Sequence, residues 1–304
     1  MTFPVSPDVA PSSSARPAPD RVRVKSLGSG SSGNGFLIQS GDRTLMLDCG
    51  IGIRTINREL RALGSNLDSL DGILITHEHI DHVRTLPRLT SHDIPIIATS
   101  GTAGMAAVPT DRREEIATGK SVSLAGFTIW ALGVRHDAID PCGYLIEADG
   151  ARVTILTDLG VWEEHLVEPV AASDLIVLEA NHDEEMLRRG PYPMHLKRRV
   201  ASEVGHLSNR ACGEALAMLA KGSHADPVVW LAHLSATNNR ADVAEQTVCA
   251  ALAAADLDLR VMALPRREPG PLWMSPPTRR AGAPFSIRDT SPAVAQLSLL
   301  DGFD

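Results

Sequence analysis

Thr76-His77-Glu78-His79-Ile80-Asp81-His82 sets three imidazoles and an aspartate within six residues, directly after the apolar run Gly72-Ile73-Leu74-Ile75. A strand that ends in a loop with His at i, i+2 and i+5 and Asp at i+4 can offer ligands to two metal ions at once. Imidazole and carboxylate are ligands that Zn²⁺ and Mn²⁺ accept, and a catalytic site keeps one position open for water. The chain holds 11 His in 304 residues, so a polar turn that gathers three of them by chance is a poor alternative.

Outward from that stretch the chain alternates short apolar runs with helical patterns. Residues 1–20 are rich in Pro, Ser and Ala and are expected to be a disordered leader. Residues 21–264 carry the periodicity of a folded domain. Ser29-Gly30-Ser31-Ser32-Gly33-Asn34 reads as a turn between two strands and lacks the G-K-[ST] ending of a phosphate loop. Ile53, Ile56, Leu60 and Leu63 have helical spacing with Gly64 as the stop. A further helix is expected near residues 102–107. Strands are expected near residues 127–132, 144–147, 152–156 and 174–179. Ala-rich helices follow over residues 209–220, with Ser208 as the cap, and 241–254. Residues 265–304 turn to Pro, Arg and Gly and are expected to be a disordered tail.

Composition bounds the possibilities. A hydrophobic content of 43% supports a sizeable core. Cys49, Cys142, Cys212 and Cys249 are scattered with no C-x-x-C pair, which argues against a disulfide framework or a Cys-based zinc site and suits a reducing cytoplasm. No signal peptide and no apolar run of about 18 residues is present, so no membrane span is expected. The net charge of −8 speaks at first against nucleic acid, but whole-chain charge is a poor guide to a local, metal-bearing site.

The motif H-x-H-x-D-H after a short strand resembles the signature of the metallo-β-lactamase superfamily. That resemblance implies a four-layer αββα sandwich and two divalent metal ions, Zn²⁺ or Mn²⁺. Its remaining motifs occur in order: Asp48 after Leu45-Met46-Leu47, His136 in Gly133-Val134-Arg135-His136, Asp158 after Ile155-Leu156-Thr157, and His233 after Trp230-Leu231-Ala232. By the resemblance, His77, His79 and His136 hold one metal, Asp81, His82 and His233 the other, and Asp158 bridges them. Asp48 then hydrogen-bonds a ligand or water and fixes its orientation. Two metals about 3.5–4 Å apart acidify a shared water and clamp the oxygens of a phosphodiester. β-Lactam-cleaving members usually lack a counterpart of His82, so this set favours phosphodiesters or thioesters.

Downstream residues narrow the reading. Leu178-Glu179-Ala180 and Gly205-His206-Leu207-Ser208 resemble the tRNA 3′-processing branch, which implies that Glu179 orients His206 and His206 protonates the leaving 3′ oxygen. The run from Glu179 through Asn181-His182-Asp183, with Leu231-Ala232-His233-Leu234-Ser235 and Ser29-Gly30-Ser31-Ser32-Gly33-Asn34, resembles the YycJ (WalJ) family. That family is associated with 5′→3′ DNA exonuclease activity in mismatch repair, so DNA is the expected partner and Asp81, Glu179 and His206 the expected catalytic residues. An RNA-processing nuclease and a thioesterase-like hydrolase of the same fold stand as alternatives. Arg198 and Arg199 are candidate phosphate contacts, and Asn181, His182, Asn238 and Asn239 are candidate cleft contacts. In the tail, Gln296, Leu297, Leu299 and Leu300 resemble the peptide that docks bacterial proteins on the sliding clamp; packing of this segment on its own domain is the alternative.

Overall fold

The computed structural model describes residues 21–219 and 227–277. Two seven-stranded sheets face each other. The first runs in spatial order β14 (Leu272–Met274), β1 (Val22–Gly28), β2 (Gly35–Ser40), β3 (Arg43–Leu47), β4 (Gly72–Leu74), β5 (Ile96–Ala98) and β6 (Arg113–Glu115). The second runs β13 (Arg260–Ala263), β12 (Val228–Ala232), β11 (Leu175–Glu179), β10 (Ala151–Leu156), β9 (Cys142–Ala148), β8 (Phe127–Gly133) and β7 (Ser121–Leu124).

Alternation along the strands builds the layers, because successive side chains leave opposite faces of a sheet. On β2 and β3, Phe36, Ile38, Leu45 and Leu47 point into the core between the sheets, where they meet Tyr144, Ile146, Val153, Ile155 and Val177. Leu37 and Met46 point the other way, onto Ile56 and Leu60 of α1 (Ile53–Ala62) and onto residues of α3 (Leu86–Leu89) and α4 (Ser100–Met105). Ile176 and Leu178 of β11 do the same on the second sheet. They pack against α5 (Val167–Ala171), α8 (Asn209–Leu219) and α9 (Ala241–Ala254). The result is the four-layer αββα sandwich. Burial on both faces explains why β11 reads as an unbroken apolar run.

Each sheet is half parallel: β3 through β6 in the first, β10 through β13 in the second. The carboxyl ends of parallel strands lie along one edge, which is where open α/β sheets place their sites. Asp48, His77, Asp158, Glu179 and His233 all sit at such ends. Three short helices border the same edge: α2 (Ile80–Val83), α6 (Glu184–Arg189) and α7 (Met194–Val200). Among the described residues no helix is long and apolar enough to cross a membrane.

The expected helices over 53–63, 209–220 and 241–254 appear within one or two residues of their ends, and Ser208 caps α8 through Ala211 N–H. The helix expected at 102–107 starts earlier, at Ser100, because Thr99 Oγ1 accepts from Thr102 N–H. One boundary is corrected. The tail expected from residue 265 is folded to at least Ser275: β14 pairs with β1, Trp273 lies 8% exposed in the core, and Ser275 N–H bonds to Val22 O. The four residues between Pro271 and Pro276 are too few to display an alternating pattern. The expected leader, the segment from residue 278 on and the Gln296–Leu300 motif lie outside the described residues.

Trp273→Ala is expected to lower unfolding free energy by about 3 kcal/mol, the cost of emptying a buried indole site. Chemical denaturation checks this; a change within error would show that β14 contributes nothing to the core.

Candidate metal centre

The loop after β3 is knitted to the one that carries the His cluster. Cys49 N–H bonds to His82 O, Asn34 N–H to Asp81 O, and Gly50 N–H to Asn34 O. The chains approach so closely that a Cβ at Gly50 would lie 1.6 Å from Asp81 O. Only glycine fits there. Asp48, Asp158 and His233 have left-handed backbones, with φ of 55°, 57° and 53°. Each such residue costs roughly 1–2 kcal/mol, and strain of this kind concentrates at functional sites.

The seven expected ligands converge. His77, His79 and His136 bring ligand atoms within 4.8 Å of one another; so do Asp81, His82 and His233; and Asp158 joins His77 and His82 between the two nests. In the first nest His79 Nδ1 lies 3.3 Å from His136 Nε2. In the second, Asp81 Oδ2 lies 3.4 Å from His233 Nε2 and 3.7 Å from His82 Nε2. Asp158 Oδ2 is 3.0 Å from His82 Nε2, and its Oδ1 is 3.8 Å from His136 Nε2.

The outer ring nitrogens of His77, His82, His136 and His233 are held by the protein. His82 Nδ1 donates to Asp48 at 2.7 Å, His136 Nδ1 to Gly205 O at 3.0 Å, and His233 Nδ1 to Glu179 at 2.8 Å. His77 Nδ1 lies 3.1 Å from Thr76 Oγ1, which itself bonds to Asp48. Fixing the proton on Nδ1 turns the Nε2 lone pair inward, as metal ligation requires. Asp48 thus bonds directly to His82, one of the expected ligands.

The donor set fits two cations. His77 Nε2 is buried and hydrogen-bonds to nothing, and Asp158 Oδ2 is buried with His82 Nε2, an expected ligand itself, as its nearest polar neighbour. An unsatisfied buried polar atom costs about 1–3 kcal/mol, which a bound cation would remove. Charge points the same way. Burial alone would push His82 down, but Asp48 and Asp158 outweigh it and raise its pKa to about 10. Burial would raise the Asp158 carboxyl, yet His233 and His82 hold it well below the usual range. His77 is driven well below its ordinary value by burial and by His82, so its lone pair is free.

Glu179 and His206 sit beside the nests. Glu179 Oε2 accepts from Leu159 N–H and Leu207 N–H, and Oε1 from His206 and His233. With both oxygens engaged, Glu179 is an anchor for two imidazoles, although it lies close enough to His233, His206 and Asp158 to count as a possible ligand. His206 Nδ1 is 3.0 Å from Glu179, and the ring lines the cleft.

The outer contacts divide. Asn181 and Asn238 line the cleft; Asn181 also bonds to His233 O, whereas the Asn238 amide makes no hydrogen bond. Asn239 does not reach it. It is 2% exposed, and its amide is spent on Ala180 O, Asn181 O and Asn209, so it is a strut beneath the cleft. Arg198 and Arg199 diverge: Arg199 lines the metal cleft and pairs with Asp137, while Arg198 borders a neighbouring cavity with His182. Sequence reading missed Asn34, whose Nδ2 lies 3.0 Å from His82 Nε2 and 3.4 Å from Asp81. It also missed Ser29, whose Oγ accepts from His233 N–H. The Gly/Ser turn that holds both was the available signal.

Comparison with known proteins agrees. A model of the β-lactamase superfamily domain matches residues 43–233. The chain is 32% identical over 228 residues to exodeoxyribonuclease YycJ of Bacillus anthracis, covering 73% of this chain and 86% of that one. It is 32% identical over 277 residues to exodeoxyribonuclease WalJ of Streptococcus pneumoniae, covering 88% and 94%. Among solved structures, the metallo-β-lactamase fold protein YhfI of Bacillus subtilis superposes with a TM-score of 0.64 at 19% identity, over 84% of this chain and 100% of that one. The site and fold are those of a metal-dependent hydrolase of the metallo-β-lactamase superfamily. Within it, the chain belongs to the family of YycJ and WalJ.

Asp158→Asn is expected to reduce bound metal from two ions per chain to one or none and to abolish hydrolysis. Metal content by mass spectrometry decides it; full occupancy in this variant would remove Asp158 from the bridging position.

Proposed function

We propose that the chain is a phosphodiesterase with two divalent metals that degrades DNA from the 5′ end in a cytoplasmic repair role. The observation that carries this reading is His206, an imidazole outside the seven-ligand set, anchored through Nδ1 by Glu179 at 3.0 Å and facing the cleft. Burial disfavours its imidazolium, but Glu179 and Asp158 more than compensate and raise its pKa above the ordinary value. It is therefore a proton donor in waiting. A departing alkoxide needs such an acid far more than a thiolate does. This favours phosphodiester over thioester cleavage.

Zn²⁺ or Mn²⁺ held by His77, His79, His136 and Asp158, and by Asp81, His82, His233 and Asp158, would polarise a phosphoryl oxygen and acidify water. The chain's own residues do the rest. Glu179 sets the His206 ring so that Nε2 meets the leaving 3′ oxygen and gives it a proton. Asn181 and Asn238 line the cleft where a sugar or phosphate would lie. Arg198 adds positive charge at the border of the adjoining cavity, supplying salt-dependent affinity for the backbone. The names of the 32% identical relatives support DNA as the substrate. Docking on the sliding clamp through Gln296, Leu297, Leu299 and Leu300 is a separate proposal, decided by calorimetric titration of a peptide of residues 291–304 into the clamp.

His206→Ala is expected to keep both metals and to lose turnover by on the order of 10²–10⁴-fold. The assay uses 5′-labelled single-stranded DNA, duplex DNA and RNA. Loss of metal in this variant would make His206 a ligand, and faster cleavage of RNA than DNA would overturn the substrate.

A further inference from the structure

A second cavity, about 480 Å³ in volume, adjoins the metal cleft. His206 lines both. The size falls in the range of about 300–1,000 Å³ that small-ligand sites occupy. Its walls come from α6, α7 and the start of α8. Leu187, Met194, Ala201 and Ala211 make most of the surface apolar. His182 interrupts that surface. It is 3% exposed, and its Nδ1 is buried with no hydrogen-bond partner. At the mouth stands Arg198, exposed and, among the described residues, paired with no carboxylate.

Three features thus meet at one place: an apolar slot, a buried imidazole with spare hydrogen-bonding capacity, and a free cation. A solvated sugar-phosphate chain has no use for the first. An unstacked base does, because proteins bind splayed bases by enclosing their faces and bonding their edges. His206 fixes which base. In the hydrolysis proposed above, on which this inference rests, water oxygen adds to phosphorus and the P–O3′ bond breaks. The 3′ oxygen departs with the His206 proton. The cavity meets the cleft of expected ligands at His206, and so adjoins the leaving-group side.

We infer that this cavity holds the base of the 5′-terminal nucleotide, the one released in each turnover, with Arg198 at its phosphate. The slot therefore acts as a gauge. It admits one nucleotide beyond the scissile bond and ties cleavage to a chain end.

The test uses manganese-loaded enzyme in single turnover on single-stranded DNA that ends in a normal or an abasic 5′ nucleotide. Wild type is expected to cleave the abasic end about tenfold more slowly or worse, since each stacked base contributes an order of magnitude or more in affinity. Ala211→Leu, which fills the slot, is expected to slow the normal end to the abasic rate and erase the difference. His182→Ala serves the same purpose if Ala211→Leu does not fold. Equal wild-type rates on the two ends would overturn the inference. A binding arm in EDTA separates it from the hydrolysis itself. A terminal 2-aminopurine is expected to brighten on binding wild type and not Ala211→Leu. Brightening without cleavage of any substrate would defeat the proposed function and leave the pocket standing; no brightening would defeat the pocket.

Discussion

Three carboxylates buried together at one edge of the sandwich, those of Asp48, Asp158 and Glu179, set the terms for everything around them. An ionised carboxylate withdrawn from water is costly unless donors or cations surround it. Asp48 is served by Thr76 N–H, Thr76 Oγ1 and His82. Glu179 takes two backbone N–H groups and two imidazoles. Asp158 alone takes no backbone N–H or hydroxyl donor among the described residues and faces the histidines of the two nests. The surrounding histidines are thus divided between supporting the outer carboxylates and leaving a charge deficit at the middle one.

That division depends on how the sheets meet. Asp48, His77, His79, Asp81 and His82 come from the first sheet's loops, and His136, Asp158, Glu179 and His233 from the second's. Bonds across the seam fix the two sets in register. Tyr144 Oη donates to Ile75 O at 2.8 Å, Cys142 N–H to Thr76 O at 3.0 Å, and His233 N–H to Ser29 Oγ at 3.0 Å. Neither sheet alone contains a complete nest, so the packed apolar core is what holds the ligand geometry.

The candidate ligands were legible because each follows a run whose pattern marks a strand, and because imidazoles crowded as His77, His79 and His82 are have few other uses. The αββα layering followed from the family resemblance that those motifs carry, and the alternating strand and helix patterns suited it. What the sequence hid was short or indirect. β14 is three residues between prolines and is recognisable only by its partner β1. α6 and α7 are cut short by Gly190, Pro191 and Pro193, which leaves too few turns for a helical period. Asn34 looked like turn chemistry, and only the approach of Asp81 and His82 brings it to the centre. Asn239 and Asn238 are neighbours of like kind, yet the first is bonded beneath the cleft and the second lines it. No local pattern separates them.

The left-handed residues at the strand ends carry a consequence for how such a chain can change. At Asp48, Asp158 and His233 glycine would suit the backbone better, by roughly 1–2 kcal/mol at each position. The same exchange would delete a candidate metal ligand, or the carboxylate hydrogen-bonded to one. Stability and chemistry therefore pull in opposite directions at three points of a single edge. Gains in robustness are open to this fold almost anywhere else at lower functional cost, and thermostabilising design that scores backbone comfort alone will choose the positions it should leave untouched.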